Sequence, residues 1–224
     1  MEFEWLPGIP GETFGLLLSL IYGATNWSEP NWEEDAQWVR SAKGGNRVAF
    51  ERLYGKYVDR IYKFSYRLLS KTRAPRENAE DATSEAFLRC LSHLRSLKED
   101  HLFLGFLRKT AFNLCMDILR QTSLIASDDP EEDGVLPAIY DSRGPLTPER
   151  KVLGEEVRKA INSLKEEYRL AIILVHYEGH SYLEAAELMK CKEDDIRRWV
   201  HRGSKQIRED FKEDEDLSAC RQNT

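Results

Sequence analysis

The sequence predicts an all-α protein built from two small helical domains that are joined by a flexible acidic linker. Three observations support this. Apolar residues recur every three or four positions in residues 41–121, without strand-like alternation. Residues 123–146 are rich in Asp, Glu, Pro and Gly and lack the apolar content needed to fold. In residues 181–211 a capped helix, a short break and a basic helix follow one another.

Charge divides the 224 residues in the same way. The first 40 residues carry seven acidic residues and one basic residue, whereas residues 41–121 carry 16 Lys and Arg against 9 Asp and Glu. The predicted division is an N-terminal extension (1–35), a first helical domain (36–122), the linker (123–146), a second helical domain (147–211) and an acidic tail (212–224). The overall charge of −6 argues against a general nucleic-acid coat.

The N-terminal extension contains an apolar run, Phe14–Tyr22, which is too short to span a bilayer. No Lys or Arg precedes the run, which argues against a signal peptide. We therefore expect a cytoplasmic protein. Two interpretations of the extension stand side by side: a hairpin or short helix packed on the first domain, or a start codon assigned too far upstream.

Three helices are predicted in the first domain. The first runs from about Arg47 to Ser70, the second from a cap at Asn78 to Leu97, and the third from Leu102 to Gln121. The residues expected to face the core are Ala49, Phe50, Leu53, Tyr54, Tyr57, Val58, Ile61, Tyr62, Phe64, Leu68 and Leu69, then Ala82, Ala86, Phe87, Cys90, Leu91 and Leu94, and finally Phe103, Phe106, Leu107, Ala111, Leu114, Cys115, Ile118 and Leu119. Such a set can form one helical core.

The third of these helices also alternates aromatic and cationic residues. Phe103, Phe106 and Phe112 stand among Arg108, Lys109, Asn113 and Arg120. Cations neutralise phosphates and aromatic rings stack on unpaired bases, so the pattern is typical of a surface for single-stranded or melted DNA. The competing interpretation is that the phenylalanines are ordinary core residues.

In the second domain, Thr147 and Pro148 can begin a helix, and a helix-turn-helix follows. Ser181 and Glu184 form a capping box, and the break falls at Met189–Cys191. The apolar face of the first helix is assigned to Leu183, Ala186 and Leu188, and that of the second, from about Glu193, to Ile196, Trp199, Val200, Gly203, Ile207 and Phe211. The basic residues of the second helix predict that it inserts into a DNA major groove. The alternative interpretation is an ordinary solvent-exposed surface helix.

Other chemistry is not indicated. The four cysteines, Cys90, Cys115, Cys191 and Cys220, lie far apart and form no CxxC or Cys/His pair, so we expect free thiols and no metal or cofactor. No Gly-rich phosphate loop or nucleophile–base pair is present. The sequence therefore predicts a protein that is not an enzyme.

The order of these segments resembles the sigma-70 family, specifically its short extracytoplasmic-function (ECF) members. The similar segments are GNRVAFERLYGKYVDRIYKFSYRLL (45–69), AEDATSEAFLRCL (79–91) and FLGFLRKTAFNLCMDILR (103–120) for region 2, and residues 146–189 and IRRWVHRGSKQIRE (196–209) for region 4. The resemblance implies an initiation factor that binds core RNA polymerase and promoter DNA, with an anti-sigma factor as a further partner.

The resemblance also implies residue roles. Polymerase binding is assigned to Asp81, Glu85, Phe87 and Arg89. Contacts to the −10 element are assigned to Phe106, Arg108, Lys109, Phe112, Asn113 and Arg120, and the preceding loop, 96–102, would hold a flipped base. Contacts to the −35 element are assigned to Arg197, Arg198, His201, Arg202 and Lys205. The linker would follow the RNA exit path.

Two alternatives remain open. Ala82 and Ser84 stand where the family usually has a bulkier aliphatic residue and a glutamine. This departure would be explained by a helix-turn-helix regulator that acts without polymerase. The other alternative is an interaction protein that keeps the fold but lacks promoter activity.

Overall fold

A computed structural model describes residues 32–125 and 148–222. Within these ranges the chain forms eight α helices and no strand, which confirms the predicted all-α class. The helices belong to two compact units, one on each side of the gap, and we describe each unit by itself. The predictions for residues 1–31 and for most of the linker lie outside the described residues.

The first unit contains four helices. They are α1 (Trp32–Lys43), α2 (Arg47–Leu68), α3 (Pro75–His93) and α4 (Phe103–Ile125), with 3-10 turns at Leu94–Ser96 and Asp100–Leu102. The predicted cap at Asn78 is wrong. The helix begins at Pro75, because a proline at the first position needs no N–H partner, and the Asn78 Nδ2 donates to Thr72 Oγ1 at 3.0 Å.

The core of the first unit follows the predicted apolar stripes of α2, α3 and α4. Most of the large side chains are sealed from solvent, including Leu53, Tyr57, Ile61, Phe64, Phe87, Phe103 and Leu107. Burying each such side chain contributes about 1.5–3 kcal/mol to stability. Two predicted core residues are wrong: Tyr54 is 41% exposed and Leu91 is 46% exposed, because both lie at the rim of a groove between α2 and α3.

Helix α1 crosses the predicted boundary between residues 35 and 36 and is part of the first unit. Its buried Asp35 accepts hydrogen bonds from Lys56 Nζ at 2.5 Å and from the Tyr57 hydroxyl. Burial, followed by this hydrogen bond, raises the pKa of Tyr57 far above its ordinary value. The Arg52 guanidinium lies 4.2 Å from the centre of the Trp38 ring. These contacts attach α1 to α2.

The second unit contains α5 (Pro148–Ser163), α6 (Glu166–Ile172), a π turn at Ile173–Tyr177, α7 (Tyr182–Met189) and α8 (Glu193–Gln222). The predicted helix start at Pro148 is confirmed. Helix α8 continues beyond residue 211 into the segment that we interpreted as an acidic tail.

Helix α8 packs closely on α6 because of one glycine. A Cβ atom on Gly203 would lie 2.7 Å from Ile172 Cδ1 and 3.2 Å from Tyr168 Cβ, so no other residue fits without movement. Ile196, Val200 and Ile207 share this buried side of α8, as predicted. The prediction was wrong for Leu183, which is 58% exposed. Helix α7 is held instead by two alanines, Ala185 and Ala186.

Candidate nucleic-acid interface

The helix-turn-helix is formed as predicted. The Glu184 N–H donates to Ser181 Oγ at 3.2 Å, and the Ser181 N–H donates to Glu184 Oε2 at 2.8 Å, which completes the capping box. Lys190 has φ 55°, in the left-handed region, and ends α7. The Cys191 N–H then donates to the Ala186 carbonyl at 3.0 Å, so this turn fixes the point at which α8 begins.

Four cationic side chains and one histidine of α8 form one surface, which we call the recognition face. They are all exposed and they are Arg197, Arg198, His201, Arg202 and Lys205. At about 100° per residue, these positions span roughly 140° of the helix circumference. The opposite side is buried against the rest of the unit. The fold therefore presents the cations together, away from the core, as a groove-reading helix requires.

Acidic residues on the same helix partly neutralise the recognition face. Arg197 pairs with Glu193 at 2.5 Å, and this hydrogen bond raises the pKa of Arg197 above its ordinary value. Arg198 pairs with Asp195, which lowers the pKa of that carboxyl. Lys205 lies 3.6 Å from Glu209. Within the part of the chain that the structure describes, Arg202 has no ion pair, so its charge is fully available for phosphate.

A second polar surface lies on α4, and we call it the α4 stripe. It consists of Phe106, Lys109, Asn113 and Arg120, whose spacing of three, four and seven places them on one side of the helix. The Phe106 ring is half-buried and the other three side chains are exposed. Arg120 pairs with Asp117 at 3.0 Å. An aromatic ring beside cations and an amide is the chemistry that binds unpaired bases.

Two residues assigned to the −10 element do not lie on the α4 stripe. Phe112 is 2% exposed, so the prediction that its ring contacts DNA conflicts with its burial. Arg108 is half-buried and lies on a different side of α4. Phe103 is 1% exposed, which decides in favour of the core interpretation for that residue.

Helix α3 carries the residues assigned to polymerase binding. Asp81, Glu85 and Arg89 share one side of the helix, and Glu85 pairs with Arg89 at 2.7 Å. Phe87 conflicts with its assignment because it is 3% exposed and its ring packs 4.8 Å from the ring of Tyr54. Sequence reasoning missed Leu88, which is 61% exposed on the side of Asp81. The sequence feature that could have identified Leu88 is an apolar residue seven positions after Asp81, on an otherwise polar face of the helix.

The loop before α4 is tied to α1, which the sequence did not indicate. Lys43 Nζ donates to Asp100 Oδ1 at 2.6 Å and to the Leu97 carbonyl at 2.8 Å. Arg40 Nε donates to Asp100 Oδ2 at 3.0 Å. The Lys43 hydrogen bond is the largest cause that lowers the pKa of Asp100. The partners are nearly sixty residues apart, so no local pattern could have found them.

The described residues give no indication of a metal site, a reactive thiol or a membrane-spanning helix. Residues 32–125 and 148–222 hold no group of three or more His, Cys, Asp or Glu side chains arranged to bind a metal ion. Burial raises the pKa values of the Cys90 and Cys115 thiols to about 12. None of the helices so described is long and apolar enough to cross a membrane.

Two family models match the chain. "Sigma-70 region 2" matches residues 53–124, which include α3, the loop and most of α4. "Sigma-70, region 4" matches residues 154–207, which include the helix-turn-helix and the recognition face. Together they cover more than half of the 224 residues. The chain belongs to the sigma-70 family. The resemblance predicted from the sequence is thereby confirmed.

Individual relatives agree with this assignment. The chain is 29% identical over 196 residues to the ECF RNA polymerase sigma factor SigE of Mycolicibacterium smegmatis, covering 83% of this chain and 71% of the relative. It is 26% identical over 182 residues to the ECF sigma factor SigW of Bacillus subtilis, covering 78% of this chain and 95% of the relative.

Solved structures share the fold. CnrH, solved in complex with the cytosolic domain of CnrY, has a TM-score of 0.56 at 16% identity and covers 81% of this chain and 99% of CnrH. The sigma factor RpoE of Bartonella quintana, solved with the anti-sigma factor NepR, has a TM-score of 0.55 at 23% identity and covers 73% of this chain and 96% of RpoE.

Proposed function

We propose that this sigma-70 family member is an ECF-type initiation factor that binds core RNA polymerase and directs it to promoters with −10 and −35 elements. The observation that carries the proposal is the recognition face, four exposed cations and an exposed histidine on the second helix of a helix-turn-helix that lies in a region 4 domain. Region 2, with the α4 stripe, supplies a second surface suited to melted DNA.

The recognition face reads the −35 element in the major groove, and Arg202 and His201 make its first contacts because neither has to break an ion pair among the described residues. The α4 stripe holds the melted −10 strand through Phe106, Lys109 and Asn113. The side of α3 that carries Asp81, Glu85, Arg89 and Leu88 binds polymerase. Leu88 adds apolar area, and the fully buried centre of a protein interface is more apolar than its rim.

We also propose that a protein inhibitor controls this chain. Sigma factor RpoE of Bartonella quintana shares the fold and was solved with an anti-sigma factor. In the present chain, Leu88 is an exposed apolar side chain on the surface proposed for polymerase, and Leu91 is exposed at the neighbouring groove rim. An inhibitor that covered them would compete directly with polymerase for the same area.

Transcription with purified core polymerase tests the proposal. Wild-type protein is expected to give transcripts that start at discrete sites and depend on both promoter elements. Arg202→Ala is expected to reduce transcription from promoters that need the −35 element, and Leu88→Asp to reduce polymerase binding. Lys165→Ala serves as the control, because Lys165 is an exposed cation outside the proposed surfaces. Protection of an operator by the protein alone would instead support the polymerase-independent regulator.

A further inference from the structure

Helix α1 reaches the loop at residues 96–102 through two cations at its C-terminal end. The Lys43 ammonium bridges the loop from Leu97, whose carbonyl it meets at 2.8 Å, to Asp100, whose carboxylate it meets at 2.6 Å. Arg40 holds the second oxygen of the same carboxylate at 3.0 Å. Three hydrogen bonds from one helix thus fix both the backbone and a side chain of the loop.

This contact is protected from solvent more than an ordinary surface ion pair. The side chains of Lys43 and Asp100 are each 20% exposed, whereas Arg40 is 71% exposed. Water screens partly buried charges less, so the Lys43–Asp100 pair is the stronger of the two interactions. Lys43 is therefore the main contact between α1 and the loop, and Arg40 makes a weaker second contact.

The other half of α1 is anchored firmly enough to make this tie effective. Asp35 is buried against Lys56 and Tyr57 of α2, and Trp38 stacks with Arg52. Helix α1 is therefore attached to α2 through its first half and to the loop through its last turn. Because α1 is held at both ends, it fixes the position of the loop relative to the core of the first unit.

We propose that Lys43, supported by Arg40, is a positioning residue for −10 base recognition, because it holds the loop in the shape that accepts an unstacked base. The inference rests on the proposed function, since it assumes that the loop meets the −10 strand. A base that leaves the stack loses favourable contacts, and a pocket compensates best when its shape exists before binding. Lys43 acts through the loop and does not touch DNA.

Base selectivity of the reconstituted holoenzyme tests the role. Transcription is measured on a set of promoters that carry each of the four bases at each −10 position. Lys43→Met is expected to reduce the ratio between the best and second-best base by roughly three- to tenfold. Asp100→Asn is expected to have a similar effect, and the double variant to be no worse than either single variant, because both substitutions remove the same contact.

Two variants control for charge and folding. Arg47→Ala removes a cation four residues from Lys43, but Arg47 is exposed and, among the described residues, its ion pair is with Glu51 of its own helix, so base selectivity should not change. Lys43→Arg keeps the charge and donors and should restore part of the selectivity. Hydrogen exchange supplies a readout that needs no transcription: amides of residues 97–102 should exchange faster in Lys43→Met than in Arg47→Ala.

The outcomes separate the two claims. If wild-type protein gives promoter-dependent transcripts and Lys43→Met lowers them equally at every promoter, without changing base preference, the positioning role is wrong and Lys43 is only structural. Unchanged exchange at residues 97–102 would also overturn it. If wild-type protein gives no promoter-dependent transcripts, the proposed function and the base-reading role fail together, and faster exchange would then show only that Lys43 braces the loop.

Discussion

At the scale of single residues, Gly203 leaves no room for a larger side chain at the contact between α6 and α8. A methyl group at this position meets Ile172 Cδ1 at 2.7 Å and the Cβ of Tyr168 at 3.2 Å. Gly203→Ala should therefore push α8 away from α6 and lower the free energy of unfolding by about 1–3 kcal/mol. Denaturant unfolding followed by circular dichroism measures the change.

Gly55 is the matched control for this prediction. It also lies inside a helix, but a Cβ there would meet no atom of the described residues within 4 Å. Gly55→Ala should raise the free energy of unfolding by about 0.5–1 kcal/mol, because alanine has the higher helix propensity. If both substitutions changed stability in the same direction, the close α6–α8 packing described for Gly203 would be wrong.

Lys190 ends α7 in a backbone conformation that favours glycine. Its φ of 55° places the backbone in the left-handed region, which costs roughly 1–2 kcal/mol for an L-residue. Lys190→Gly should stabilise the second unit by up to about 1 kcal/mol, since the glycine chain also loses more entropy on folding. Thermal unfolding tests this. Gly179, at φ 68°, is the reciprocal case: Gly179→Ala should destabilise, and a stabilising effect there would contradict the argument.

The ionisation of Asp100 makes the stability of the first unit depend on pH. Lys43 and then Arg40 hold its pKa below the ordinary value of about 3.9. The ionised carboxylate therefore contributes stability above that ordinary value, and the contribution is lost as the pH falls through the folded-state pKa. Asp100→Asn should lower stability at pH 7, and the difference from wild type should shrink below about pH 4. A difference that stayed constant in denaturant unfolding from pH 7 to pH 3 would contradict the assignment.

At the scale of elements, α8 carries the cations proposed to contact DNA together with acidic residues that pair with them. Glu193→Gln removes one negative charge and also releases Arg197 from its 2.5 Å pair. It should raise the affinity for −35 DNA and steepen the dependence of log affinity on log salt by about 1, because one more phosphate contact releases one more counterion. Fluorescence anisotropy at several salt concentrations measures both quantities.

Asp194→Asn is the control for this effect. It removes the same charge from the same turn of α8, but within the described residues Asp194 forms no ion pair with the recognition face. Its effect should be smaller, and it should leave the salt slope closer to that of wild type. Equal effects of the two substitutions would show that the Glu193–Arg197 pair does not restrain DNA binding.

The elements also show what local sequence can predict. Ser181, Glu184 and Pro148 act within one turn of their own helix, so their roles were readable from the sequence. The exposure of Leu88, Leu91 and Leu183 could not be predicted in the same way, because the spacing of apolar residues does not show which face of a helix packs against a neighbouring helix. The ties from Arg40 and Lys43 to Asp100 depend on tertiary structure and left no local signal.

At the scale of the whole molecule, the family was predictable because it depends on the order of several motifs rather than on any one of them. The recognition face was assigned residue by residue and all five members are exposed. The rings of Phe87 and Phe112 are buried, which conflicts with their assignment to binding surfaces, since an aromatic residue beside cations fits a core and a binding surface equally well. Burial is set by the packed neighbours, which sequence spacing alone does not define.

The presence of two proposed DNA-binding surfaces on one chain implies how the protein should bind a promoter. The recognition face is weakened by its own acidic residues, and the α4 stripe offers few cations. Neither surface should bind a promoter tightly alone. Polymerase must hold both on the same DNA, so that the second contact forms at high effective concentration.

Promoter-dependent transcription with purified core polymerase tests this account most directly. We expect discrete transcripts from promoters that carry both elements, a large loss when either element is replaced, and weak promoter binding by the protein without polymerase. Transcripts that are absent with every promoter, or an operator that the protein protects tightly without polymerase, would contradict the account.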